Sequence, residues 1–212
     1  MNIDSIDSGY NAFLDKPSNV NEHFPALKIY AQQCAKVAQF GCSDMLSCWP
    51  LLHGMSKSGD ASSGERKLVC FDKGSEPEGF QNLKKMSRIA GVKLYFIQQD
   101  TLKLDLQPVD MLLIDTFHTY VQLKRELERH HANVQKYIAI LNTSIDDETS
   151  ELVRMFYFYD IDAICKDLSC SHADVCKGLA PAINEFIAEH PTWKIHKSFA
   201  NNNGLVVLQR SE

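Results

Sequence analysis

The chain contains no apolar run approaching the ~20 residues that a bilayer crossing requires. It contains no long Lys/Arg run, so a nonspecific grip on nucleic-acid phosphates is not expected. Its first ten residues are polar and acidic, without the positive start and apolar stretch of a secretion signal. These absences point to a soluble protein of the cytoplasm, with neither a membrane nor a nucleic acid as partner. Tight C-x2-C pairs are missing too. Of the seven cysteines, Cys165, Cys170 and Cys176 lie near His172, but their spacings are wider than zinc sites use. They read as a Cys-bearing loop in a reduced protein. Cys34, Cys42, Cys48 and Cys70 fall in or beside expected helices and strands, where a thiol behaves as a small apolar residue. No internal repeat or low-complexity tract breaks the chain.

What is present is enough apolar material for one core: 212 residues, 44% hydrophobic, with a formal charge of -5. Residues 1–20 are rich in Asp, Ser and Asn and read as an N-terminal arm, loose or holding a short lead-in helix; residues 21–212 read as a single domain. Asn21 stands where an N-cap would, ahead of helical spacing from Glu22 to Cys34. Strands are expected at Lys36–Gly41, Lys67–Asp72, Val92–Ile97, Val109–Asp115 and Tyr137–Leu141. Val109–Asp115 is the plainest, continuously apolar as befits a parallel strand covered on both faces. Helices are expected at Leu46–Leu52, Phe80–Ile89 (Leu83, Met86 and Ile89 on one side), Tyr120–His131, Glu148–Tyr159 and Leu179–Glu189, the last with Pro181 in its first turn. His53–Arg66 reads as an exposed loop. The charged run Lys124, Arg125, Glu126, Glu128, Arg129 reads as a solvated helix face. Trp193–Phe199 and Leu205–Gln209 flank Asn203-Gly204, a hairpin signal. The expected fold class is therefore α/β: a Rossmann-like doubly wound, mostly parallel seven-stranded sheet closed by a C-terminal antiparallel hairpin.

In such a sheet, ligands bind beyond the carboxyl ends of the strands. Those ends offer Gly41, Asp72, Asp100, Asp115 with His118, and Asn142 with Thr143. Gly41 permits close approach of backbone to a ligand. Asp72 is placed to accept from two ribose hydroxyls. A dinucleotide is disfavoured, because Cys42-Ser43-Asp44-Met45 after Gly41 has no second glycine for a pyrophosphate. Each position has a plainer use as well. Asp115 suits a helix cap, His118 a packed ring at a helix start, Asn142 and Thr143 a turn, and Trp49 the core.

Beyond these readings, Asn21 to Phe24, Phe40-Gly41, Ser47 and Trp49 resemble a group of small methyltransferase-like proteins. Leu113 to Tyr120, running on to Gln122-Leu123-Lys124 and Glu126-Leu127, resembles that group's most telling signature. Gly178-Leu179, Pro181 to Ile183 and Asn201 to Gly204 resemble its C-terminal end. The chain is thus similar, over residues 21–210, to class I S-adenosylmethionine-dependent methyltransferases of the cephalosporin-hydroxylase-like and catechol-type O-methyltransferase kinds. The resemblance implies that Phe40, Gly41 and Ser47 border the methionine part of S-adenosylmethionine, that Asp72 holds the ribose, and that Asp100 and Thr101 lie by the adenine. Asp115 and His118 would face the substrate, either one acting as general base toward a hydroxyl of a small molecule or saccharide. In metal-assisted relatives carboxylates after the fourth and fifth strands hold magnesium or another divalent cation; here the positions are Asp115 and Asn142, with Asp146 and Asp147 downstream. The chain departs from the pattern at Gln39 (for Glu), Ser43 (for Arg), Met45 (for Gly) and Leu141-Asn142-Thr143 (for His-Asp-Thr). Those departures keep a second reading in view: a catalytically inactive methyltransferase fold serving as an interaction or regulatory module. A homo-oligomer is compatible with either reading.

Overall fold

The computed structural model describes residues 3–58 and 64–211. Continuous apolar segments need cover on both faces, and the sheet provides it. Seven strands, β1 (Lys36–Phe40), β2 (Lys67–Asp72), β3 (Lys93–Gln98), β4 (Val109–Ile114), β5 (Val134–Leu141), β6 (Trp193–Phe199) and β7 (Leu205–Arg210), lie in the order β3-β2-β1-β4-β5-β7-β6. The first five run parallel; β7 pairs antiparallel with both β5 and β6. The expected hairpin forms, with its positive φ angles at Asn202 and Gly204.

Successive strand residues point to opposite faces, so each strand feeds two cores. Val37, Met111 and Leu113 pack with α1 (Ile6–Leu14), α2 (Phe24–Ala31), α3 (Cys48–Ser56) and α4 (Phe80–Ile89). Ala38, Leu112 and Ile114 pack on the other side with α5 (Tyr120–His130) and α9 (Leu179–Glu189). A third, smaller cluster joins Leu152 of α6 (Glu151–Arg154) to α7 (Ile161–Leu168) and α8 (His172–Cys176). Strand order reverses between β1 and β4, which makes the carboxyl ends of these two strands the switch point.

The short lead-in helix expected within residues 1–20 forms at Ile6–Leu14, with its Gly9 against the Trp49 ring and its Tyr10 buried in the first core. Other local expectations are corrected. Asn21 does not cap α2; it sits in a 3-10 turn, accepting from the Ser18 N–H and donating to the Leu14 carbonyl. Of the loop expected at 53–66, residues 53–56 extend α3 and His53 is buried, while residues 59–63 lie outside the described residues. Ile89 is exposed rather than sharing the buried side of Leu83. The helix expected over 148–159 is a single short turn, α6, followed by a 3-10 turn at Phe156–Phe158 with all three aromatics exposed. The Cys-bearing loop folds instead as α7 and α8, capped by Asp160 and Ser171.

Candidate functional site

A cleft of about 630 Å³ opens at the switch point, lined by Gly41, Asp44, Asp72, Lys73, Thr101, Asp115, Phe117, His118, Glu151 and Tyr159, with Ile164 and Leu168 of α7 on its far wall. A groove of about 680 Å³ lies among residues at the amino ends of β1 and β4, beside Lys36, Asp110 and Lys136. There Asp110 accepts the backbone N–H groups of Ala35 and Lys36. In a parallel sheet that edge is opposite to the ligand-binding edge, so the carboxyl-end cleft is the site.

Its floor is a close meeting of two strand ends. Gly41 has φ 75, and a Cβ there would lie 1.9 Å from the Asp115 carbonyl oxygen. Only glycine fits both the left-handed angle and that approach. Gln39, fully buried, donates from Nε2 to the Gly41 carbonyl and to Ser47 Oγ, both at 2.8 Å. Ser47 is thereby drawn inward, and Phe40 packs edge-on against Phe71 and His130 in the second core. Neither side chain lines the cleft. Met45, where the resemblance has glycine, keeps the glycine-like φ of 58, but its methyl lies against Gly79 and away from the cleft.

Asp72 closes β2. Its Oδ2 accepts the Cys42 N–H at 2.9 Å and its Oδ1 the Gly74 N–H at 2.8 Å. Each carboxylate oxygen has a second acceptor direction left. Asp100 does not line the cleft. It accepts the Leu102 N–H and pairs with Lys73 at 3.3 Å; burial would raise its pKa, but these partners hold it below the ordinary value. Thr101 borders the cleft, though its hydroxyl points inward and donates to Glu126 Oε1 at 2.5 Å.

Glu126 corrects the solvated-face expectation for α5. It is fully buried and accepts from Thr101, Gln122 and Thr116, tying the loop after β3 to the loop after β4. Burial pushes its carboxyl up to about 7 against those three hydrogen bonds and the nearby His118 charge. The spacing held a signal: Glu126 follows Leu123 by three and Gln122 by four, on the stripe that continues to Leu127 and His130.

On the far side of the cleft, Thr119 caps α5 by accepting from the Gln122 N–H, which frees Asp115 of that duty. His118 becomes the centre of a charge cluster. Its Nδ1 is 2.6 Å from Glu151 Oε2, and its Nε2 is 3.5 Å from Asp115 Oδ1, a long electrostatic contact. Burial alone would lower the pKa of the ring; the partners Asp115 and Glu151 outweigh it and carry the ring up to about 9. Glu151 also accepts from the Tyr159 hydroxyl at 2.5 Å. Its burial is outweighed by the His118 and Tyr159 hydrogen bonds, which bring it down to about 2. Asn142, at φ 61, sets its amide 3.2 Å from His118 Nδ1. Sequence reasoning did not find Glu151, Tyr159 or Arg154, because they lie in the short irregular elements after β5.

No protein-family model matches the sequence, and no curated protein matches it. Solved structures do match in fold. Magnesium protoporphyrin IX methyltransferase (ChlM) from Synechocystis, with bound S-adenosylmethionine, superposes with a TM-score of 0.57 at 9% identity, over 100% of this chain and 86% of that one. The O-methyltransferase TomG from Streptomyces achromogenes, in complex with S-adenosylmethionine, gives 0.54 at 10% identity, over 100% and 92%. The Podospora anserina methyltransferase PaMTH1, bound to S-adenosylhomocysteine, gives 0.51 at 12% identity, over 100% and 89%. With its sheet order, its closing hairpin and its cleft at the β1/β4 switch, the chain has the class I methyltransferase fold.

Proposed function

We propose that the protein is an S-adenosylmethionine-dependent O-methyltransferase whose acceptor is a hydroxyl of a small molecule or saccharide. The observation that carries this reading is the pairing, across one cleft, of a glycine cradle with a carboxylate–imidazole couple: Gly41 and Asp72 on one side, Asp115 and His118 on the other. The cofactor suits the residues present. The cleft is roomy, Gly41 keeps side chains away from its floor, and Asp72 retains acceptor capacity for two ribose hydroxyls. Thr101 borders the adenine end through its backbone. Phe40, Ser47 and Asp100, which the resemblance also implicated, act from behind by packing, by fixing the Gly41 turn and by fixing Lys73.

When bound, the cofactor supplies a sulfonium methyl group for in-line displacement. The chain's part is to align the acceptor oxygen and to receive its proton; alignment alone supplies a large share of such a rate. Asp115 is the proton acceptor in this reading. His118 already carries its proton at neutral pH, so it donates rather than accepts. Phe117, Tyr159, Ile164 and Leu168 give the acceptor an apolar wall. Among the described residues no helix is long and apolar enough to cross a membrane, and all seven cysteines are unpaired; both suit a cytoplasmic setting.

Calorimetric titration with S-adenosylmethionine and S-adenosylhomocysteine tests the reading. Wild type should bind both, and Asp72→Ala should lose most of the affinity. Asp115→Asn should keep cofactor binding and lose turnover on a panel of hydroxylated acceptors. A folded wild type that gives no heat with either ligand at millimolar concentration would leave the inactive, partner-binding fold as the better account.

A further inference from the structure

We propose that Glu128, His131 and His190 form a zinc-type metal site where α5 and α9 end, and that the ion fastens the two helix ends together. The proposal uses no property of the cleft and stands whether or not the methyl-transfer reading holds. α5 has 11 residues, about 16 Å at the rise of a helix. His118 precedes its start and this cluster closes its end, so the two are separate ligand sets.

Residues three apart are neighbours on a helix surface. Glu128 in the last turn of α5 and His131 at its C-cap therefore stand together. His190 is the C-cap of α9, which packs beside α5 on the same face of the sheet. One nitrogen from each ring and one Glu128 oxygen lie within 4.8 Å of one another. Within that set His190 Nε2 is 3.0 Å and 3.2 Å from the two Glu128 oxygens, and the two ring centroids are 4.1 Å apart. Ligand atoms around a tetrahedral zinc ion, with bonds of about 2 Å, stand about 3.3 Å apart. The exposed Glu128 side chain can close the remaining gap by rotation.

A hydrogen bond between His190 and Glu128 explains only part of this arrangement. It leaves out His131, whose Nδ1 is buried and has no hydrogen-bond partner. A buried polar atom without a partner calls for one, and coordination takes in all three residues. Phe186, a member of the second core, lies 5.4 Å from the His131 ring and 4.7 Å from the His190 ring, centroid to centroid. Core packing thus positions both rings before any ion arrives. Two helices end here, and the carbonyls at a helix C-terminus carry a partial negative charge that favours a cation. Two imidazoles and one carboxylate, with water completing the shell, suit zinc. Magnesium and calcium, which take oxygen ligands, are poorly served. On binding, zinc–nitrogen and zinc–oxygen bonds form, and a proton that His190 Nε2 gives to the Glu128 hydrogen bond passes to the other ring nitrogen.

The test is zinc titration of chelator-treated, reduced, full-length protein near neutral pH, by calorimetry with thermal unfolding alongside. Wild type should bind a zinc ion more tightly than about 10 μM and unfold at a higher temperature with zinc present. His131→Phe keeps the ring packed on Phe186 and removes its nitrogens; His190→Gln and Glu128→Gln remove the other donors. Each should weaken zinc binding at least ~10-fold and shrink the thermal shift, while His118→Gln should bind as wild type does. Histidine ring NMR of wild type needs no variant: zinc should move the His131 and His190 signals and leave those of His118 in place. No binding at about 100 μM zinc, affinity unchanged in all three variants, or ring shifts confined to other histidines would overturn the proposal. Cofactor titration of the same samples is independent of these outcomes, so a protein that binds zinc here and no cofactor loses only the methyl-transfer reading.

Discussion

Glu151 holds His118 by three contacts at once. Its Oε2 lies 2.6 Å from Nδ1, the same oxygen accepts the His118 backbone N–H at 3.2 Å, and the Glu151 N–H donates to the His118 carbonyl at 3.2 Å. Ring and backbone are thus fixed together at the cleft edge, joining the loop after β4 to α6. This is why the ring can stay charged in a buried place.

The first prediction concerns pH. The folded state raises the His118 pKa from 6.5 to about 9, so the fold favours the protonated ring. The resulting stabilisation is complete below 6.5 and is lost as pH rises through about 9. At 1.36 kcal/mol per unit it is worth up to about 3 kcal/mol. Urea unfolding at pH 6, 8 and 10 should show wild type losing about that much relative to His118→Gln. Parallel curves for the two proteins would mean a ring that is neutral when folded.

Gly41→Ala is the second. A left-handed angle costs a residue with a Cβ about 1–2 kcal/mol, and here the added carbon also meets the Asp115 carbonyl oxygen at 1.9 Å, a backbone atom that cannot swing aside. The loss should exceed about 2 kcal/mol by urea unfolding, with cofactor binding abolished in whatever remains folded. A loss within about 0.5 kcal/mol, the range of an ordinary surface change, would mean that the strand ends are not packed this closely.

The sheet and its long helices were readable because burial imposes a period. α4, α9 and β6 have the bounds that their apolar spacing gave, and β4 announced itself by being apolar on both faces. The segment after β5 was not readable. α6, α7 and α8 run for only 4, 8 and 5 residues and share a small satellite core, so no stripe grows long enough to show a period. At the site, strand ends located Gly41, Asp72, Asp115 and His118 in the cleft, since backbone topology decides where they fall. It could not show that Ser47 turns inward, because Gln39 decides that through a single hydrogen bond. Nor could it show that Asp146 is already paired, because Arg154 approaches from a turn with no sequence signature.

Met45→Gly provides the third prediction. On the sequence a methionine at a position of close approach threatens the cofactor; in the structure its side chain packs toward Gly79 and the first core, outside the cleft. Restoring glycine should therefore leave cofactor affinity unchanged within about twofold, a fraction of the 1.4 kcal/mol that marks a tenfold change. Stability should move little, since relief of the left-handed angle offsets the lost apolar contact. A large gain in affinity would place the methionine in the cleft after all.

The last prediction turns on Glu126, whose three donors leave it no opposite charge in direct contact. Its carboxyl is raised from 4.5 to about 7 in the fold, chiefly by burial. The fold thus favours the neutral acid, and this contribution is complete below 4.5 and is lost as pH climbs through about 7, where a buried carboxylate becomes a cost. Glu126→Gln keeps an oxygen for Thr101 and Gln122, and the Thr116 hydroxyl can rotate to accept from the new amide. The variant should therefore unfold at a higher temperature than wild type at pH 8.5 and show a smaller advantage, or none, at pH 5.5. Because Glu126 joins the loop that borders the adenine end to the loop that carries Asp115, cofactor affinity should follow the same trend, with wild type weakening above neutral pH more than the variant. Equal pH dependence in both proteins would show that the carboxyl titrates as an ordinary acid and that water reaches it.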